Sequence, residues 1–183
     1  MKYNTYNLQW LLNRVEQKES VKYLFFWGHT PSKDGSVTKS CFSQWWQSAF
    51  EVDNVRYATA EHWMMAKKAM LFDDKEILEK ILIAKSPAEA KKLGRKVRNF
   101  DPKVWGENCF DIVCEGNYHK FSQHSDLKAF LLDTKDQILV EASPMDRIWG
   151  IGMSQDHDHV KNPRLWKGSN LLGFALIEVR EQL

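Results

Sequence analysis

Glu61 and Lys68 are seven positions apart in a segment, residues 59–68, that opens with a threonine and has the composition of a helix. At about 100° per residue, their side chains would differ by only about 20° in direction and would share one stripe of the helix. Met64 and Met65 fall between them, so the stripe is partly apolar. Because a carboxylate and an amine are costly to bury on such a stripe, the pair marks a candidate site.

The chemistry open to this pair follows from the position of each group on the helix. Near the helix N-terminus the macrodipole favours an ionised Glu61, which suits a base or a group that stabilises positive charge. The macrodipole alone would also favour a glutamate there with no catalytic role, so Glu61 by itself leaves both interpretations open. Burial would lower the pKa of Lys68 and allow it to attack a carbonyl or iminium carbon. Lys67, rotated by about 120° from Glu61, is expected to face away from the site.

A second candidate is the loop at residues 146–152, which follows a predicted strand. It contains Asp146, Trp149 and two glycines, of which Gly150 is one, so the backbone could approach a ligand closely while the indole stacks on a ring. A structural turn with a core tryptophan explains the same residues. The tryptophan at Trp45 could form another wall of a ring-binding slot, or be half core and half surface.

A basic cluster surrounds Gly94, and its members could bind a phosphate or simply form a solvated helix face. The members are Lys91, Lys92, Arg95, Lys96 and Arg98. His157 and His159 could supply two metal ligands from an extended segment, but no third group of ligands accompanies them in the sequence. We therefore expect neither a metal nor a cofactor.

The composition is that of an ordinary globular protein, with 183 residues, 43% hydrophobic and 27% charged, and a net charge of +2. That charge is too small to indicate a dedicated nucleic-acid or membrane surface. The first residues lack a leader-type apolar run, and no window approaches the ~20 uncharged residues of a membrane span. The three cysteines lack C-x-x-C spacing, and Cys109 and Cys114 fit core positions in a helix, so a cytoplasmic protein is expected.

Apolar spacing and capping residues predict an α+β fold dominated by helices, with a small N-terminal sheet and hairpin region. We expect one domain over residues 1–183, with its core at about 23–183 after a short N-terminal helix. Predicted strands are 23–27, 37–42, a hairpin at 50–57 turning at Asp53 and Asn54, and 138–142. Predicted helices are 8–15, 59–72, 74–84, one starting at Ser86, one from Asp101 to Lys120, 127–132, and one capped by Ser169 or Asn170.

Four of these segments together resemble the YbiA-like family, also called the NADAR (NAD and ADP-ribose related) superfamily. They are residues 42–45, 59–68, 146–150 and 170–173, and the resemblance extends over about residues 23–183. It implies a YbiA-like fold and an N-glycosidase that cleaves ribose 5-phosphate from the pyrimidine of an early riboflavin-synthesis intermediate. Other branches of the family resemble hydrolases that remove ADP-ribose from guanine bases.

The resemblance also implies roles for individual residues. Glu61, Lys68 and Asp146 match catalytic positions, and Trp149 completes the active-site set. The matching segments add substrate contacts at Phe42, Gln44, Trp45, Gly150 and Asn170. Trp149 or Trp45 would stack on the pyrimidine, and Arg95, Lys92 or Lys120 would hold the 5′-phosphate.

Two mechanisms and three functions stay open on the sequence. Lys68 could form a Schiff base with ribose C1 while Glu61 moves protons, or Glu61 or Asp146 could activate water directly. The expected partner is a ribosylated pyrimidine phosphate. An ADP-ribosylated nucleic acid or NAD-derived adduct is the same-class alternative, and a non-catalytic nucleotide-binding module is the alternative of another class.

Overall fold

The computed structural model describes residues 3 and 5–183, so the expectation about the first residues falls partly on 1, 2 and 4, which lie outside it. The described chain contains seven α-helices and four short strands, and it confirms the helix-dominated mixed fold. The helices are α1 (Leu8–Glu16), α2 (Ala60–Leu71), α3 (Lys75–Leu82), α4 (Pro87–Gly94), α5 (Pro102–Gln123), α6 (Ser125–Asp133) and α7 (Leu171–Arg180). The strands are β1 (Tyr23–Phe26), β2 (Phe50–Val52), β3 (Val55–Tyr57) and β4 (Ile138–Glu141).

The predicted helix starts are confirmed by their capping bonds. Thr59 Oγ1 accepts from the His62 amide at the start of α2, at 3.4 Å, and it also lies 2.8 Å from His62 Nδ1. His62 Nε2 lies 3.1 Å from the Ala84 carbonyl oxygen, which can only accept, so Nε2 carries the proton and the threonine hydroxyl donates to Nδ1. Ser86 caps α4 and Asp101 caps α5 in the same way, each followed by a proline at the first helical position.

The strands form two separate pairs. β2 and β3 make the predicted antiparallel hairpin, and Asp53 and Asn54 take the left-handed conformation at its turn, with φ of 51° and 62°. β1 and β4 pair in parallel, with Tyr23 opposite Ile138 and Phe26 opposite Glu141. The parallel pair brings the last residue of β4 beside a strand from the opposite end of the chain.

The core is organised around α2 and α7. α7 lies against α5 and β4, and α2 lies against α3, α4 and α5. Trp63 of α2 is fully buried and donates its indole N–H to the Ile112 carbonyl at 2.8 Å. Cys109 and Cys114 of α5 are buried free thiols, as predicted. Because α2 has neighbours on several sides, the polar groups of its first turn are withdrawn from water.

Some local predictions were wrong. Residues 37–42 do not form a strand. Lys39–Phe42 makes a 3₁₀ turn, because the Thr38 and Ser40 carbonyls accept from amides three residues on, and the Cys41 carbonyl accepts from Lys120. α6 begins at Ser125, two residues before the predicted start. Asn170 occupies the N-cap position of α7, with φ of 53°, but its side chain caps nothing in that helix. Of the described helices, none has both the length and the apolar character that crossing a bilayer requires.

Candidate active site

A cleft of about 960 Å³ lies where the start of α2, the C-terminal part of α4, the end of β4 and the loop after β4 meet. Elements from three separate parts of the sequence therefore contribute side chains to one site. Seven of the predicted site residues line it: Gln44, Trp45, Glu61, Lys68, Arg95, Asp146 and Trp149.

The remaining predicted site residues lie away from the cleft wall, and each has another place. Phe42 is fully buried, with its ring centroid 5.4 Å from that of Phe26 and 5.5 Å from that of Phe130. Lys92 is exposed, because it is one position, and so about 100°, away from the face of α4 that meets the cleft. Lys120, Gly150 and Asn170 hold the backbone that positions the site.

Lys120 does not fit a phosphate contact, because its ammonium group is enclosed in the protein. The residue is fully buried, and its Nζ donates to the carbonyls of Cys41 at 2.5 Å and Ser43 at 2.9 Å. Gln44 is held next to it: its carbonyl oxygen accepts from the Glu61 amide at 3.0 Å. These bonds fix the segment carrying Gln44 and Trp45 against the first turn of α2.

Asn170 and Gly150 hold the end of β4. Asn170 Oδ1 accepts from the Glu141 amide at 2.9 Å, and its Nδ2 donates to the Leu139 carbonyl at 3.0 Å. A Cβ atom at Gly150 would lie 2.8 Å from the Glu141 carbonyl oxygen, so only glycine permits this approach without displacement. The two residues therefore fix the position of Glu141 at the end of β4.

Glu61 is almost completely buried, with 2% of its surface exposed, and its Oε1 atom has no hydrogen-bond partner. Burial raises the pKa of this carboxyl to about 7. The positive charge of Lys91, the Trp45 indole and the charge of Arg95 oppose that rise in pKa, whereas the charge of Asp146 adds to it. Glu61 can therefore exchange a proton near neutral pH, as a general acid or base must.

Glu141, the last residue of β4, is a second carboxyl in the cleft and was missed from the sequence. Its Oε2 atom is withdrawn from solvent and has no hydrogen-bond partner. The pKa of Glu141 is raised to about 8, mainly by burial and also by the negative charges of Asp146 and Glu61, while the charge of Lys91 opposes the rise. The available signal was a glutamate that ends an otherwise buried, apolar strand.

Lys68 lines the cleft but does not meet Glu61 as the shared stripe suggested. Its Nζ lies 4.0 Å from the ring centroid of Phe100 and 5.5 Å from that of Trp105, and burial lowers its pKa. Lys91 and Arg95 are the cations whose charges act on Glu61. The stripe thus supplies two separate functional groups to one cleft.

Lys67 points elsewhere, as the helix rotation predicted. Its Nζ lies 4.3 Å from the Trp63 ring centroid and 3.9 Å from Glu115 Oε1. Neither of these partners lines the cleft, so the two adjacent lysines serve different surfaces.

The loop after β4 is shaped by Asp146. Its Oδ1 accepts from the amides of Ile148 at 2.9 Å and Trp149 at 2.8 Å, which forms a tight turn and places the Trp149 ring in the cleft wall. Asp146 therefore orients the tryptophan and adds negative charge to the site.

Besides Lys68, three cationic side chains line the cleft: Lys91, Arg95 and Arg147. Lys91 and Arg95 are four residues apart, so they share one face of the end of α4. That spacing was the signal for Lys91, which belongs to the predicted basic cluster but was not chosen as a phosphate ligand. Aromatic walls beside paired cations suit a ligand with both a ring and a phosphate.

The loop that carries His157 and His159 does not form a metal site. His157 and His159 are exposed, with ring centroids 5.7 Å apart. Over residues 3 and 5–183, no three His, Cys, Asp or Glu side chains are grouped so as to hold a metal ion.

Comparison with known proteins identifies relatives over most of the chain. N-glycosidase R617 of Acanthamoeba polyphaga mimivirus is 42% identical over 169 residues, covering 90% of this chain and 98% of that protein. The NMR structure of the E. coli protein YbiA has a TM-score of 0.67 at 30% identity, covering 89% of this chain and 86% of that one. Riboflavin biosynthesis protein PYRR, chloroplastic, of Zea mays is 32% identical over 138 residues, covering 72% of this chain but 20% of that protein.

The relatives agree with the chemistry of the cleft. A relative named N-glycosidase matches nearly its whole length, so the chain is a glycosidase that hydrolyses N-glycosyl compounds. A sequence profile described as the NADAR domain matches residues 25–183. With that match and these relatives, the chain belongs to the NADAR family, which is the YbiA-like superfamily.

Proposed function

We propose that this enzyme hydrolyses the C–N bond between ribose 5-phosphate and the pyrimidine of early riboflavin-biosynthesis intermediates. The substrates would be 5-amino-6-(5-phosphoribosylamino)uracil and its diamino-pyrimidinone precursor. The observation that carries the proposal is the buried carboxyl of Glu61, which titrates near neutral pH in a cleft lined by aromatic rings and cations. The name of the maize relative, a riboflavin biosynthesis protein, supports the substrate class.

The cleft offers one group for each part of such a substrate. Lys91 and Arg95, on one face of α4, would bind the 5′-phosphate through charge-assisted hydrogen bonds. Trp45 and Trp149 would hold the flat pyrimidine. Ribose C1 would then lie near Glu61, because both cations already act on that carboxyl.

The reaction itself can follow either of two routes in this site. The substrate carries ribose on an exocyclic nitrogen, whose lone pair can open the sugar to an imine at C1. In the first route Lys68 exchanges with the base nitrogen and forms a Schiff base that water hydrolyses. In the second route, the oxygen of a water molecule attacks C1 while Glu61 takes a proton from that water.

Lys68 fits the first route because burial lowers its pKa and so increases the fraction of neutral amine. Borohydride added during turnover separates the two routes. A substrate-dependent mass increase on Lys68 is the expected result, and active turnover with no labelled lysine would leave the direct attack of water.

The function is tested by incubating the protein with both intermediates and measuring the released pyrimidine. Glu61→Gln should reduce release by about 10²–10⁴-fold, since it removes the proton-transfer group while keeping the shape of the side chain. Glu79→Gln is the matched control, because Glu79 is exposed on α3 and away from the cleft. Wild-type protein that releases no pyrimidine from either compound would refute the substrate assignment.

A second candidate is the hydrolysis of ADP-ribosyl groups from guanine bases. The third cation, Arg147, favours it, because a substrate with one phosphate leaves this charge without a partner. The cleft, at about 960 Å³, is also at the large end of the range for small-molecule sites. Release of ADP-ribose from modified guanine, measured beside the riboflavin intermediates at equal concentration, ranks the two functions.

A further inference from the structure

Glu141 places a carboxyl group at the end of a buried, apolar strand. It ends a strand whose other three residues are fully buried, and its Oε2 atom has no hydrogen-bond partner. The backbone around it is fixed on both sides, by Asn170 Oδ1 on the amide and by the Ile151 amide on the carbonyl. An apolar side chain would fill this position without the cost of burying an unpaired oxygen.

The negative charge of Asp146 acts on both Glu61 and Glu141, and the charge of Glu61 acts on Glu141 as well. Glu61 and Glu141 each have a buried oxygen without a hydrogen-bond partner, so at least one of these two carboxyls retains a proton near neutral pH. The question is which residue holds it.

The surroundings assign that proton to Glu141. Asp146 Oδ1 already accepts two amide hydrogen bonds, whereas the buried Oε2 atom of Glu141 has no partner. Glu61 has Lys91, Arg95 and the Trp45 indole beside it, and all three favour its ionised form. Glu141 has Lys91 alone against two negative neighbours, and the pKa values of about 8 for Glu141 and about 7 for Glu61 follow the same order.

We propose that Glu141 is a second catalytic residue, the general acid that protonates the leaving nitrogen as the C–N bond breaks. The role rests on the proposed function, in which an amine must depart from ribose C1. The bonding electron pair moves to the nitrogen, which takes the Glu141 proton. Water bonds to C1 and gives a proton to Glu61, and solvent returns that proton to Glu141, so each turnover consumes one water. In the Schiff-base route Lys68 supplies the bond to C1, and Glu141 makes the same proton transfer.

Dependence on the leaving group tests this role. Glu141→Gln should reduce the turnover of the aminopyrimidine substrate by about 10²–10⁴-fold. On 4-nitrophenyl riboside 5-phosphate, whose leaving group departs without protonation, the same variant should lose less than about 10-fold. Glu61→Gln should be impaired on both substrates and serves as the matched comparison. Equal losses of Glu141→Gln on both substrates, or no loss on either, would overturn the proposal.

A second measurement follows the proton without any substrate. In protein with carboxyl-¹³C glutamate, NMR of the wild type should show two glutamates that titrate near or above pH 7. The one that titrates at the higher pH should be absent from Glu141→Gln and present in Glu61→Gln. A Glu141 signal that titrates near the ordinary value of ~4.3 overturns the proposal. If the signal of a protonated Glu141 is present but the wild type releases no pyrimidine, the proposed substrate is wrong while the assignment of the proton to Glu141 is retained.

Discussion

The stability of the Glu61→Gln variant relative to wild type should increase as the pH rises from acidic to alkaline. The buried carboxyl has a pKa of about 7 instead of 4.5, so the folded state retains its proton where the unfolded state has lost it. Below the unfolded pKa of 4.5 both states are protonated and Glu61 costs nothing. As pH rises from 4.5 to 7, stability falls, and above 7 the full cost of the buried charge is present.

The size of the effect follows from the pKa difference. At about 1.4 kcal/mol for each pKa unit, a shift from 4.5 to about 7 costs on the order of 3 kcal/mol at high pH. Most of that cost, about 2–3 kcal/mol, develops between pH 5 and pH 8.5. The glutamine amide has a constant cost of its own, because Oε1 lies where no partner reaches it. Comparing the two pH values cancels that constant.

The assay is urea unfolding of wild type and Glu61→Gln at pH 5 and at pH 8.5, with the slope against urea required to be the same in both proteins. The difference in free energy of unfolding, variant minus wild type, should rise by about 2–3 kcal/mol from the lower pH to the higher. Glu79→Gln, on the exposed face of α3, should show no such rise. A Glu61→Gln difference that is the same at both pH values within ~0.5 kcal/mol would refute a buried, proton-holding Glu61.

Three further results are expected. Lys91→Ala should raise KM for a phosphorylated substrate by about 10-fold or more, while Lys92→Ala, the exposed neighbour, leaves KM unchanged in steady-state kinetics. Lys120→Met should lower the free energy of unfolding, measured in urea, by about 2 kcal/mol or more, because two buried carbonyls lose their donor. If Lys120 bound the substrate phosphate instead, the substitution would change KM and leave the free energy of unfolding unchanged. Asn170→Ala should lower the denaturation midpoint by an amount equivalent to about 1–3 kcal/mol, because it leaves the Glu141 amide unpaired.

The local structure around the candidate site that the sequence predicted correctly is set by neighbours along the chain. Thr59 starts α2 through a bond to a residue three positions on, and helix rotation then separates Lys67 from Lys68. The bond from the Trp149 amide to Asp146 has the same short range, although the sequence predicted only that both residues lie in one loop. Each of these depends on residue types and spacing within one or two turns of chain, which the sequence displays directly.

The parts that were missed depend on contacts between distant segments. Glu141 lies in the cleft because β4 pairs with β1 and because Asn170, 29 positions away, holds its amide. Lys120 is an anchor instead of a ligand because it meets the Cys41 carbonyl, 79 positions away. A polar residue that holds backbone and one that holds a ligand have the same composition and the same local pattern. Burial and partners distinguish them, and both arise only in the folded chain.

Glu61 interacts with Lys91 and Arg95 instead of Lys68, and this affects the chemistry open to Lys68. An ion pair between them would have favoured the charged ammonium and raised the pKa of Lys68, leaving little neutral amine to attack a carbon. In the folded protein the charge of Glu61 is opposed by Lys91 and Arg95 on α4, and Lys68 lies over aromatic rings, where burial lowers its pKa. In the proposed reaction, cations on another helix would leave the carboxyl available for proton transfer and the amine available as a nucleophile in the same cleft.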